Sequence, residues 1–98
     1  MQVDKIIEIK IDEEQKLTIK PEFREFHQIY RTASEVHWNN DKKVLYSPKP
    51  RKWSYFNWFV HIVEIIKEDC ILLITNETIW TNIPDDLKNE ILDYDKEK

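Results

Sequence analysis

Residues 53–69, WSYFNWFVHIVEIIKED, decide how the rest of the chain is read. At about 100° per residue, Asn57, His61, Glu64 and Glu68 fall in one narrow polar sector. Tyr55, Phe56, Trp58, Phe59, Ile62, Val63, Ile65 and Ile66 fill the opposite half. The stretch reads as a helix with half its circumference apolar, wide enough to be the central core helix of a small domain. Ser54 is a candidate N-cap, although Asn57 does not complete a capping box.

Upstream, KIIEIKI at 5–11 alternates apolar and charged residues. The period of two predicts a strand with Ile7, Ile9 and Ile11 on one face and Glu8 and Lys10 on the other. Asp12 to Gln15 makes a polar turn, and Leu17 and Ile19 mark a return strand that Pro21 ends, so a hairpin is expected. Residues 22–34 carry two signals. Phe23, Phe26, Ile29, Tyr30 and Ala33 have helical spacing, whereas Tyr30, Thr32, Ser34, Val36 and Trp38 alternate as a strand. A helical turn after Pro21 leading into a strand over about 29–38 satisfies both. Asn39 to Lys42 supplies a turn and Val44 to Tyr46 the return strand of a second hairpin. SPKPRK at 47–52 is a Pro-stiffened loop that delivers the chain to the central helix.

Downstream, CILLIT at 70–75 reads as a buried strand, Asn76 and Glu77 as a turn, and Thr78 to Trp80 as a brief edge strand. Pro84 suits the first position of a closing helix over about 84–94, and Asp85 and Asp86 suit its dipole. Leu87, Ile91 and Leu92 form its apolar stripe, and residues 93–98 are expected to fray. The fold class is α+β in one domain over 1–98. A mainly antiparallel sheet of four to six short strands carries the central helix (about 53–69) and the C-terminal helix on one face.

Composition narrows the chemistry. Glycine is absent, which removes GxGxxG, Walker A, GxSxG and ordinary EF-hand loops, all of which need positive φ or close backbone approach. A single cysteine, Cys70, excludes an intramolecular disulfide and a multi-Cys zinc site, and its acidic neighbours oppose a thiolate. No signal peptide is evident, and the uncharged stretch Trp53 to Val63 is far shorter than the ~20 residues of a membrane span. A cytoplasmic protein without cofactor or metal is the expectation.

Charge is unevenly placed. Residues 1–34 hold 6 basic and 7 acidic groups, residues 35–61 hold 5 and 2, and residues 62–98 hold 4 and 10, within a net charge of −4. Lys49, Arg51 and Lys52 precede the N-terminus of the central helix, and Glu64, Glu68 and Asp69 lie toward its C-terminus. Both groups oppose the helix dipole, at about 0.3–1 kcal/mol for each exposed charge. Either the acids serve a basic partner, or Lys67 and its neighbours neutralise them locally.

Other candidates are weaker. His61 and Glu64 lie three apart, but two groups without an HExxH pattern make neither a metal site nor a catalytic pair. Lys42, Lys43, Lys49, Arg51 and Lys52, interleaved with Tyr46 and Trp53, form a short basic-aromatic segment of the type that contacts nucleic acid, in a chain whose pI of about 5.4 argues against that use. Trp58 belongs to the core, while Trp53 and Trp80 border loops where exposure would mark an interface.

In size and layout, most of the chain resembles the small acidic single-domain immunity proteins of bacterial toxin–immunity pairs. The features that carry the resemblance are IYRTASEVHW, the LYSPKPRKW loop, the acidic-faced helix and TIWTNIPDDL. No defining motif is among them, so no functional residue carries over by position. The resemblance implies a protein partner, often a cationic nuclease, held by an acidic surface. The expected function is thus a non-enzymatic protein-binding domain using Glu64, Glu68, Asp69, Trp53 and Trp80, with its oligomeric state open, a homodimer included. The alternatives are a small-ligand or accessory module with an aromatic groove on the sheet, and a nucleic-acid binder using Lys49, Arg51 and Lys52.

Overall fold

β1 (Gln2–Ile11) is the strand from which the rest of the sheet is built. The computed structural model describes residues 2–31, 36–48 and 52–97. Asp12 turns the chain by accepting from the backbone N–H of Glu14 and Lys16 through its carboxylate, both at 2.9 Å. Gln15 takes the left-handed conformation that a glycine would otherwise supply, at φ 65°. β2 (Leu17–Pro21) then returns antiparallel to β1 as expected. The second hairpin pairs β3 (His37–Asn39) with β4 (Val44–Tyr46), and β4 lies antiparallel to β2.

The sheet is mainly antiparallel, in the order β3-β4-β2-β1, with a parallel seam on the last edge. There β5 (Cys70–Leu73) pairs with Gln2 to Lys5, and β6 (Ile79–Thr81) pairs with Glu8 to Lys10. The two lie end to end along one side of β1, separated by a turn at 74–78. Opposite that interruption the β1–β2 ladder slips between Ile6 and Glu8, a β-bulge. The buried Thr78 closes the gap: its hydroxyl donates to the Ile6 carbonyl at 2.7 Å and accepts from the Thr75 N–H at 3.0 Å.

The bulge corrects the expected facing of β1. Ile7, expected inward beside Ile9 and Ile11, is only half-buried. Ile6 and Ile9, three residues apart, are both fully buried, because the extra residue between them changes which face follows. Ile11 packs at the margin of the core. Asp4 is also turned inward and buried, and its carboxylate accepts from the N–H groups of Lys5, Phe23 and Arg24 at 2.8–2.9 Å. It holds the chain where that leaves β2.

The central helix α1 spans Tyr55–Ile66, shorter at both ends than 53–69. Ser54 is its N-cap and accepts from the Asn57 N–H at 3.1 Å, so Trp53 stands outside the helix. At the other end residues 67–69 form a turn. Trp58, Phe59, Ile62, Val63 and Ile66 are buried, as the periodicity predicts, each contributing roughly 1.5–3 kcal/mol of apolar burial. They join one core cluster with Ile6, Ile9, Leu17, Ile19, Leu45 and with Leu87 and Ile91 of the C-terminal helix α2 (Asp85–Lys96), so both helices cover the same face of the sheet.

Four further expectations need revision. The strand over 29–38 is confined to β3, since Ile29–Arg31 forms a 3-10 turn that buries Ile29, and residues 32–35 lie outside the described set. β5 is buried on one face only, with Leu73 41% exposed, because the helices cover Cys70 and Leu72 while Leu73 lies on the helix-free face of the sheet. Pro84 is the N-cap of α2 (Asp85–Lys96) rather than its first residue. Instead of fraying from 93, α2 continues to Lys96, because Tyr94 docks edge-on against Phe56 and Phe59.

Candidate binding surfaces

The face of the sheet turned away from the helices is laid out by register. The bulge sets Glu8 and Lys10 outward, as the alternation predicted. Their direct partners on β2, Lys20 and Thr18, share that face, and Thr18 in turn faces Tyr46. With the β1–β2 loop on one side and the β3–β4 turn on the other, these residues line a groove of about 360 Å3.

Four lysines line it, Lys10, Lys16, Lys20 and Lys42, with four carboxylates, Glu8, Asp12, Glu14 and Asp41. The equal numbers hide unequal engagement. Glu8 accepts from the Thr81 hydroxyl at 2.6 Å and so leans toward β6, away from Lys20 on β2. Asp12 is occupied by its own loop, and Glu14 is 3.5 Å from the Lys16 ammonium. Lys16 also lies 5.3 Å from the centre of the Tyr46 ring, on which His37 stacks at 5.1 Å. Among the described residues, Lys10, Lys20 and Lys42 join none of the ion pairs.

Toward β5 and β6 the same face becomes apolar. Val3, Leu73 and Ile79 are 56%, 41% and 55% exposed. Leu73 and Ile79 stand directly opposite Lys5 and Glu8, so the three apolar side chains are rimmed by charge.

The residues singled out by sequence do not form one site. Glu64 is exposed but engaged: it accepts a hydrogen bond from the Tyr94 hydroxyl and lies 3.8 Å from Lys67. Local neutralisation of this acid is thus present. Glu68 and Asp69 are exposed in the turn after α1. Asp69 borders a separate cleft of about 530 Å3 with Arg24, Phe26 and Arg31. Trp53 is 43% exposed, its ring 4.7 Å from Trp58 and 5.0 Å from His61. Trp80 is half-buried against the core under the Lys88 ammonium, so it is not the open anchor its position suggested. The acidic C-terminal third noted in the sequence takes shape along α2 and its C-cap, with Asp86, Glu90, Asp93 and Glu97 exposed at helical spacing.

The basic segment is dispersed as well. Lys42 lines the groove, Lys43 pairs with Glu25 at 3.2 Å, and Lys52 is exposed. Lys49 and Arg51 lie outside the described residues. His27 holds Glu25 from its other side at 2.6 Å, and the two partners draw the Glu25 carboxyl below its ordinary value. Burial pushes the Cys70 thiol up, against thiolate chemistry. Among the described residues, no three His, Cys, Asp or Glu side chains converge as a metal site would require. No helix there is long and apolar enough to cross a membrane.

The groove was half visible in the alternation of KIIEIKI, which already put Glu8 and Lys10 outward. What was missing was the register that brings Thr18, Lys20 and Tyr46 beside them.

Comparison with known proteins places this architecture. The family model of integron cassette protein Hfx_Cass5 matches residues 4–75, which takes in β1 through β5 and α1. A solved structure from the mobile metagenome of North West Arm Sewage Outfall, that of integron cassette protein Hfx_Cass5, is 33% identical. The match covers 98% of each chain with a TM-score of 0.51. No curated protein matches. Because the family model spans well over half of its length, this chain belongs to the family of integron cassette protein Hfx_Cass5.

Proposed function

We propose that this chain is a non-enzymatic protein-binding domain that receives its partner on the helix-free face of the sheet. The observation that carries this reading is the exposure of Val3, Leu73 and Ile79 together on that face, with Lys5 and Glu8 at their margin. Neighbouring exposed apolar side chains with a charged rim are the usual anatomy of an interface. The finer form of the proposal is an immunity protein that neutralises a basic toxin domain. The exposed acids of α2, with Glu68 and Asp69, support it through the negative long-range field they add, which would speed the approach of a cationic partner.

Co-expression with the product of the adjacent open reading frame tests the reading. A complex that co-purifies, weakens with salt, and is lost on Leu73→Asp with Ile79→Asp is the expected outcome. A complex indifferent to those substitutions, or none formed by folded protein, overturns it.

A second reading, a small-ligand module, has the groove in its favour. About 360 Å3 falls within the size range of ligand clefts, roughly 300–1,000 Å3. Its lining is charged, with Tyr46 as its one aromatic side chain among the described residues, so the aromatic groove expected from sequence becomes a polar one.

A further inference from the structure

We propose that the sheet-face groove is an anion site that takes a small molecule carrying two negatively charged groups. The inference rests on the small-ligand reading and names the chemistry of that ligand. It starts from the imbalance of engagement among the eight charged side chains of the groove. Glu8 is drawn to Thr81, Asp12 to its own loop amides, and Glu14 to Lys16, leaving Asp41 at the rim. Lys10 and Lys20 project from the floor and Lys42 from the β3–β4 turn, and none of the three is in an ion pair among the described residues.

Register sets the spacing. Lys10 faces Thr18, and Lys20 faces Glu8, so the two lysines are diagonal neighbours on one face, with backbones about 7–8 Å apart. Both are half-buried and line the groove. The lining has equal numbers of lysines and carboxylates, so what the two lysines offer a ligand is ammonium donors that no groove carboxylate is paired with. A ligand with one anionic group for each ammonium meets both, which a monoanion does not. Lys42 closes the site from the opposite rim, and Tyr46, in contact with Lys16 and His37, forms a side wall.

The experiment is an amide-resolved NMR titration of the intact chain with three probes: pyrophosphate, succinate and the dication putrescine. The amides of Lys10, Thr18, Lys20 and Tyr46 are expected to shift saturably with pyrophosphate or succinate. Lys10→Gln with Lys20→Gln, which keeps most of each stem, is expected to weaken that binding at least tenfold in a protein of unchanged spectral dispersion. Whichever of the two anions saturates first identifies the head group as phosphate or carboxylate. A response of the same amides to putrescine and to neither anion overturns the anion site and leaves the small-ligand reading standing. Anion binding undiminished in the double variant overturns it likewise. If no probe moves these amides, both fall.

Discussion

The Tyr94 hydroxyl donates to the Glu64 carboxylate and ties the last turn of α2 to the polar edge of α1. It also explains why α2 outlasts its expected end. A hydrogen bond to a charged acceptor at a half-exposed site contributes about 1 kcal/mol. Tyr94→Phe should therefore lower the unfolding free energy by about that amount in urea titrations at neutral pH, while keeping the ring contacts with Phe56 and Phe59.

The same pair gives a pH dependence of known sign. Burial, and then Glu64 as acceptor and as neighbouring charge, push the Tyr94 hydroxyl well above the ordinary tyrosine value of 10.0. The unfolded chain releases this proton near pH 10 and the folded chain keeps it, so the contribution is complete below about pH 10 and falls as pH rises further. Urea titrations at pH 8 and pH 11 should show the gap between the native chain and Tyr94→Phe narrowing at the higher pH. A gap that stays the same would mean that the hydroxyl ionises as readily in the folded chain as in the unfolded one.

Thr78 offers a local test of the bulge. Thr78→Val keeps the shape but removes the donor to the Ile6 carbonyl and the acceptor for the Thr75 N–H. Leaving buried partners unpaired costs about 1–3 kcal/mol. Chemical denaturation should show that loss, and hydrogen exchange should accelerate first at the Thr75 amide.

Asp4 is the more severe case. Its buried carboxylate serves three backbone donors, at Lys5, Phe23 and Arg24. Asp4→Ala is expected to cost about 3 kcal/mol, read as a shift in the denaturation midpoint.

The apolar strip should behave in the opposite way. Leu73→Lys and Ile79→Lys alter residues that are 41% and 55% exposed, so stability should stay within about 0.5 kcal/mol of the native chain. Phe59→Ala, at a fully buried position, should cost about 3–5 kcal/mol. Thermal unfolding of the three variants separates a surface kept for contact from one kept for packing.

These residues also mark where sequence reading succeeds and stops. Ser54 as N-cap, the apolar half of α1 and the return strand Val44 to Tyr46 were legible because each is set by neighbours a few residues away. Ile7 was misplaced because nothing in KIIEIKI marks a bulge: neither Gly nor Pro punctuates it, and Thr78, which bonds to the Ile6 carbonyl there, lies far along the chain. Residues 29–31 took the 3-10 turn because burial of Phe26 and Ile29 overrode the alternating pattern. Trp80 has the setting of an exposed anchor in sequence, and only the pairing of β6 with β1 turns it toward the core. The groove needed three registers at once, and composition could count its charges without saying which were already engaged.

The parallel seam has a kinetic consequence. The β1–β2 hairpin closes across a loop of a few residues, whereas pairing Gln2 with Cys70 joins positions most of the chain apart. Entropy lost in closing that long loop comes before any return from its hydrogen bonds. A refolding chain therefore assembles the hairpin first and zips the opposite side of the same strand last. In pulsed hydrogen exchange, amides of the β1–β2 ladder should gain protection ahead of those in the β1–β5 ladder. One strand would thus belong to two stages of folding, its β2 edge closing early and its parallel edge late.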